Sequence, residues 1–175
     1  MLDHGKKWSV SPDWSSDVID APGLRVKSVS IGSQFYVSGD LDGFRARFGL
    51  PAPVGALGEV VGERYCVRLA SDRMLVVGLD RDAVQEGWNT EGYAVTSMTS
   101  GLRAFELSGA EAASIISRGS VLDPAKPSAS AIVMFAGAGV CIYRHGEAIR
   151  LHVDRGLAAY IWGWIASRVP FIGAA

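Results

Sequence analysis

Along this chain the spacing of apolar residues switches between two and three-to-four, and each switch marks an element. The clearest case runs from Phe105 to Pro124, Phe-Glu-Leu-Ser-Gly-Ala-Glu-Ala-Ala-Ser-Ile-Ile-Ser-Arg-Gly-Ser-Val-Leu-Asp-Pro. Alternation over 102–107 predicts a strand. Ser108 followed three positions later by Glu111 reads as a capping box, which would satisfy the first free amides of a helix. Ala112, Ile115, Ile116 and Gly119 fall on one helical stripe. Gly119 is suited to the left-handed conformation that ends a helix, and Pro124 bars its resumption.

The same reading extends in both directions. Ile31, Phe35 and Val37 predict a strand, and Asp40 is placed to cap a short helix carrying Leu41, Phe44 and Phe48 that Gly49 and Pro51 end. The stretch 51–58 is a loop. Tyr65, Val67 and Leu69 turn at Ser71-Asp72 into Met74–Leu79 as a hairpin. A short helix around 81–88 and a strand at 93–98 complete a first half. In the second half a hairpin at 131–136 and 139–144 follows the capped helix, and a strand at 148–153 follows that. Asp154 caps a final helix whose apolar stripe is Leu157, Tyr160, Ile161, Trp164, Ile165 and Arg168. The result is an α+β architecture of two tandem β-α-β-β type modules. Residues 1–22 show no sustained period and read as an N-terminal arm, leaving 23–175 as the domain.

Aromatic placement adds candidate interface residues. Trp8 and Trp14 stand on the arm without a local core, and aromatics so placed offer anchoring area at low entropic cost; folding back onto their own domain is the alternative. Trp162 points about 160° from the stripe that contains Trp164 on a helical wheel. It is therefore expected to be exposed, either as an interface residue or beneath the arm, while Trp164 belongs to the core.

Composition narrows the function. A net charge of -1 lacks the basic excess that phosphate binding requires, so nucleic acid is not expected as a partner. No apolar run approaches the roughly 20 residues that span a bilayer, and the polar start lacks the apolar region of a secretory signal. Cys66 and Cys141 lie far apart in strand-like runs and read as buried thiols of a reducing cytoplasm. Mean hydropathy of +0.20 with five tryptophans fits either a well-filled core or apolar surface reserved for another subunit.

Tests for catalytic chemistry give little. A two-residue turn at Gly146-Glu147 would set His145 opposite Ala148 and Cys141 opposite His152. Val140, Ile142, Ile149, Leu151 and Val153 then share an apolar face, with Cys141, Tyr143, Arg150 and His152 on the other. Cys141 and His152 could seed a metal site or a nucleophile–base pair, but no third member is visible; a structural pair is the preferred reading. Dinucleotide, phosphate-loop, zinc and hydrolase motifs are missing from the sequence. No catalytic, cofactor-binding or metal residue is assigned.

Taken together, Leu107-Ser-Gly-Ala-Glu-Ala112, Arg118-Gly-Ser-Val-Leu-Asp123 and Tyr160-Ile-Trp-Gly-Trp164 resemble the gamma subunit of heterotetrameric sarcosine oxidase, with a weaker match at Asp72-Arg-Met-Leu-Val-Val77. The resemblance covers about residues 24–168. It implies a fold similar to the folate-binding aminomethyltransferase domain and a non-catalytic, accessory role. In such complexes FAD, FMN, NAD, tetrahydrofolate and zinc belong to the partner subunits, and gamma packs against the folate-binding part of alpha while a secondary amine is demethylated. Departures are also visible. Ser120-Val121 stands for the family's Cys-Pro, Pro124 for its Leu, and Ser97-Met-Thr-Ser-Gly101 lacks the acid the family often carries at that turn. The chain is thus read as a divergent accessory subunit of a cytoplasmic, folate-linked amine-oxidising complex. The alternative is a free-standing folate or small-ligand binding protein of the same fold.

Overall fold

The structure, a computed structural model, describes residues 11–123, 125–126 and 128–172; Trp8 and Pro124 lie outside the described residues. In chain order the elements are β1 (Val18–Ala21), β2 (Leu24–Val29), β3 (Gln34–Gly39), α1 (Leu41–Phe48), β4 (Glu59–Val60), β5 (Tyr65–Ala70), β6 (Arg73–Val77), β7 (Gly87–Asn89), β8 (Tyr93–Ser97), β9 (Leu102–Ser108), α2 (Ala112–Gly119), β10 (Ile132–Phe135), β11 (Ala138–His145), β12 (Ala148–Asp154) and α3 (Ala158–Arg168). They build one sheet in the order β5-β6-β3-β8-β7 and a second in the order β1-β2-β9-β12-β11-β10, with β4 parallel to β11. The protein is therefore α+β, mostly strand.

Strand alternation divides the apolar residues into three layers. Tyr65, Val67, Leu75, Val77, Cys141 and Tyr143 fill the space between the sheets. Phe35, Val37, Met74 and Val76 face outward beneath Leu41 and Phe44 of α1. Phe105, Leu107, Ile142, Ile149, Leu151 and Val153 face outward beneath Ile115 and Ile116 of α2 and Ile161 and Ile165 of α3.

Each half contains the expected strand, helix and hairpin, but each also begins with a hairpin that joins the other half's sheet. β1–β2 leads into β3 yet pairs with β9, and β7–β8 leads into β9 yet pairs with β3. The tandem reading from sequence lacks this exchange. The end of the expected arm takes part in it, since Val18–Ala21 forms the sheet-edge strand β1.

Several local expectations hold. Asp40 accepts from the Gly43 amide at 2.9 Å, and Gly49 closes α1 in the left-handed region at φ 58. Asp154 accepts from Gly156 ahead of α3. The turn at 146–147 gives the expected pairing of Cys141 with His152 and His145 with Ala148.

Others are corrected. The helix expected at 81–88 is only a 3-10 turn at Arg81–Ala83, because Gly87–Asn89 is drawn into β7. The capping box does not form. Ser108 is the last residue of β9, and its hydroxyl lies 3.5 Å from the Arg25 carbonyl. Gly109, at φ 99, turns the chain sharply, and the Glu111 amide donates to the Gly23 carbonyl at 2.9 Å, so tertiary contact replaces the local cap. Gly119 does not take a left-handed conformation. A Cβ there would overlap the Phe135 ring, so its smallness lets α2 settle onto β10.

The two tryptophans of α3 exchange roles. Ala158, Ile161, Trp162 and Ile165 are buried, whereas Tyr160 and Leu157 are exposed and Trp164 is half-buried. The buried stripe is rotated by about one residue, or about 100°, from the one expected. Trp14 of the arm causes this. It packs edge-on against Trp162 at 5.9 Å and tilted against Phe105 at 5.7 Å, so the core extends over Trp162. Trp164 lies against Phe135 with the Arg168 guanidinium over its ring.

Candidate functional site

The β11–β12 register sorts side chains as the sequence predicts: Val140, Ile142, Ile149, Leu151 and Val153 face the helices, while Cys141, Tyr143, Arg150 and His152 face the other sheet. That polar face meets Gln34 at the start of β3 and Tyr65 at the start of β5. His152 Nδ1 lies 2.7 Å from Gln34 Oε1, and His152 Nε2 lies 2.7 Å from the Tyr143 hydroxyl. The Tyr143 hydroxyl is 2.7 Å from that of Tyr65, to which Arg150 donates at 3.3 Å.

The directions follow from the groups. Gln34 presents its carbonyl oxygen, so Nδ1 carries the imidazole proton and Nε2 accepts from Tyr143. Tyr143 then accepts from Tyr65, and Tyr65 from Arg150. Burial, followed by the charge of Arg150, pushes His152 down to about 3, so the ring is neutral. Burial raises the Tyr143 hydroxyl and the Cys141 thiol.

A second row continues from Arg150 across the sheet. Tyr143, Arg150, Glu106 and Lys27 are successive register partners on β11, β12, β9 and β2. Arg150 contacts Glu106 through Nε and Nη2, both at 3.1 Å, and Lys27 reaches Glu106 Oε1 at 3.2 Å. Burial alone would raise Glu106, but the hydrogen bonds from Lys27 and Arg150 outweigh it and hold the carboxyl below its usual range.

Two open clefts flank this network. The larger, about 660 Å³, is lined by Glu63, Tyr65, Asp80, His145 and Arg150. The smaller, about 320 Å³, is lined by Trp14, Gln34, Thr99, Arg103 and Arg155. Ser30 and Ile31 line both. The hydrogen-bonded chain therefore runs from Gln34 in one cleft to Tyr65 and Arg150 in the other.

This arrangement can position and bind; its histidine is not free to act as a base. Cys141 and His152 are neighbours in register, as expected, but both ring nitrogens of His152 are engaged elsewhere and the Cys141 thiol is desolvated. Among the described residues no group of three or more His, Cys, Asp or Glu could hold a metal ion. Trp8 lies outside the described residues; Trp14 folds back half-buried on the domain, and Trp162 is buried beneath it, so for both the alternative to an exposed interface residue is the one observed. Gln34, Tyr65, Arg103 and Arg155 were not singled out from sequence. Each is an ordinary polar residue at the end of an element, and only the topology brings them together.

No protein-family model and no curated protein sequence matches the chain. Among solved structures it is similar to a chain of heterotetrameric sarcosine oxidase from Corynebacterium sp. U-96, in complex with pyrrole 2-carboxylate. The TM-score is 0.72 at 18% identity, covering 92% of this chain and 91% of the other. The fold is thus that of a chain found in a sarcosine oxidase heterotetramer.

Proposed function

We propose that this chain is a non-catalytic accessory subunit, of the gamma type, in a cytoplasmic, multi-subunit, flavin-dependent amine-oxidising and demethylating complex. One observation carries the reading: the fold similarity spans nearly the whole of both chains. The counterpart is therefore a small chain of matching size, not a domain within a large flavoprotein subunit. In this role the chain braces a larger folate-binding partner while a one-carbon unit passes to tetrahydrofolate. FAD, FMN, NAD, tetrahydrofolate and zinc are assigned to partner subunits. Surface chemistry supports a partner. β10 ends its sheet with Ile132 and Met134 both exposed on alternate positions, an apolar edge of the kind a second chain covers. Trp14, half-exposed on the domain, is the arm residue retained as an interface candidate, with Trp162 supporting it from below.

The test is purification of the full chain from its own source under native conditions. Co-elution with flavin-containing subunits is expected, whereas a monodisperse, stable, solitary chain at working concentration contradicts the proposal. The two clefts favour one second reading, a free-standing folate or small-ligand binding protein; measurable tetrahydrofolate binding by the isolated chain would select it.

A further inference from the structure

The smaller cleft has an electrostatic character that neither the fold nor the subunit role accounts for. Among the described residues its charged lining is Arg103 and Arg155, and none of the carboxylates of those residues lines it. The larger cleft, by contrast, sets Glu63 and Asp80 against Arg150, which is already paired with Glu106. Among the described residues neither Arg103 nor Arg155 has a salt bridge. Asp154, next to Arg155 in the chain, spends its carboxylate on the Gly156 amide at 2.8 Å.

Arg103 is held in place without being neutralised. Its Nη1 donates to Ser28 Oγ at 3.1 Å, and its guanidinium carbon lies 4.7 Å from the centre of the Trp14 ring. Its Nε is buried with no hydrogen-bond partner. A buried, unpaired donor on a cation costs free energy that a nearby anion would recover. Burial, and then the charge of Arg155, lowers the Arg103 pKa, so the two cations sense each other across the cleft. Trp14, Ile31 and Leu102 add apolar wall beside Thr99 and Gln34. Two guanidinia beside an apolar wall match a planar anion with a carbon body, since guanidinium presents parallel donors at carboxylate spacing. About 320 Å³ is the volume of roughly ten waters, enough for a small organic acid or one acidic side chain.

We infer that this cleft is a carboxylate-binding site in which Arg103 and Arg155 hold the anion and the Trp14–Ile31–Leu102 wall holds its carbon body. Carboxylate binding by the isolated chain stands apart from the accessory-subunit reading, on which only the partner side chain as a source rests. The carboxylate is either that of a free small acid or that of an acidic side chain on a partner subunit.

Titration of the full chain with benzoate, followed by Trp fluorescence and heteronuclear NMR, tests it. Benzamide, the neutral isostere, and inorganic phosphate serve as comparisons. Saturable benzoate binding is expected, at least about tenfold tighter than benzamide and tighter than phosphate. Arg155→Gln, at an exposed position, should weaken benzoate about tenfold or more without altering the fold. Arg103→Gln should do the same, and Arg118→Gln, remote from the cleft, should leave affinity unchanged. Equal binding of benzoate and benzamide, no binding of either, tighter phosphate binding, or an unaffected Arg155→Gln variant would overturn the assignment. Repeating the titration on the chain co-purified with its partners distinguishes the sources. Retained benzoate binding identifies a free acid; loss of binding with the partner present identifies a partner side chain.

Discussion

Lowering the pH should destabilise this protein through His152, in a window that can be stated in advance. The free imidazole titrates near 6.5, and in the folded protein it takes a proton only near about 3. Between these values the unfolded chain binds one more proton than the folded one, so stability falls as pH falls. The slope is about 1.4 kcal/mol per pH unit, which gives a loss of about 2 kcal/mol by about pH 5 relative to neutral solution. Above the ordinary histidine value the term vanishes. The carboxyls of Glu106, Glu91 and Asp13 are held below their usual range. Their contributions are present above the unfolded carboxylate values and are lost only as pH falls through lower values, beneath most of the histidine window. The assay is urea unfolding at neutral pH and near pH 5 for the wild type and His152→Gln. Glutamine can still donate to Gln34 Oε1 but does not titrate. The wild type's stability advantage over the variant should shrink by about 2 kcal/mol on acidification. An advantage that stays constant would refute the claim that His152 is held neutral by burial and by the charge of Arg150.

Further expectations concern packing and caps. Trp162→Ala should cost about 3–5 kcal/mol, as an aromatic truncation in a core does. Trp164→Ala should cost less, because one side of that ring is exposed; unfolding midpoints in the reverse order would contradict the placement of the two residues. Gly119→Ala should cost about 1–3 kcal/mol through overlap with Phe135, and Phe135→Leu in the same chain should recover part of the loss in a thermal melt. Ser108→Ala should change stability by less than about 0.5 kcal/mol, whereas Asp40→Ala should cost about 1 kcal/mol. Equal costs for the two would restore the capping box at Ser108.

What could be read from the sequence follows the range of the interactions involved. The pairing of Cys141 with His152 was legible because a two-residue turn and a period of two together fix a register. The Asp40 cap and the Gly49 terminator were legible because each acts within one helical turn. Ser108 and Glu111 had the same local grammar. There the Gly23 carbonyl, far away in sequence, supplied the partner, and the local cap was not needed. Trp162 was legible only in part: the expected apolar stripe left it out, while the alternative of lying beneath the arm is the one the structure takes. Its burial is conferred by Trp14, and a helical wheel drawn on α3 alone has no place for that residue.

The candidate site was illegible for a reason built into the topology. Because each leading hairpin belongs to the opposite half's sheet, the chain crosses from one sheet to the other on leaving each hairpin, at 30–33 from β2 to β3 and at 98–101 from β8 to β9. The two crossings meet. The Gln34 amide donates to Thr99 Oγ1 at 3.0 Å, the Met98 amide donates to the Gln34 carbonyl at 2.7 Å, and the Arg155 amide donates to the Gly101 carbonyl at 2.8 Å. Gln34 is the first residue after one crossing, and Arg103 is the second residue after the other. The polar network and the smaller cleft therefore stand where the exchange forces the backbone to leave one sheet for the other. Residues there come from both halves at separations of sixty or more positions, as Gln34 and Thr99 do. A periodic reading assigns such residues to loops. The fold makes them the meeting point of its two halves, so a ligand or partner seated against Arg103 and Arg155 would contact both crossings at once.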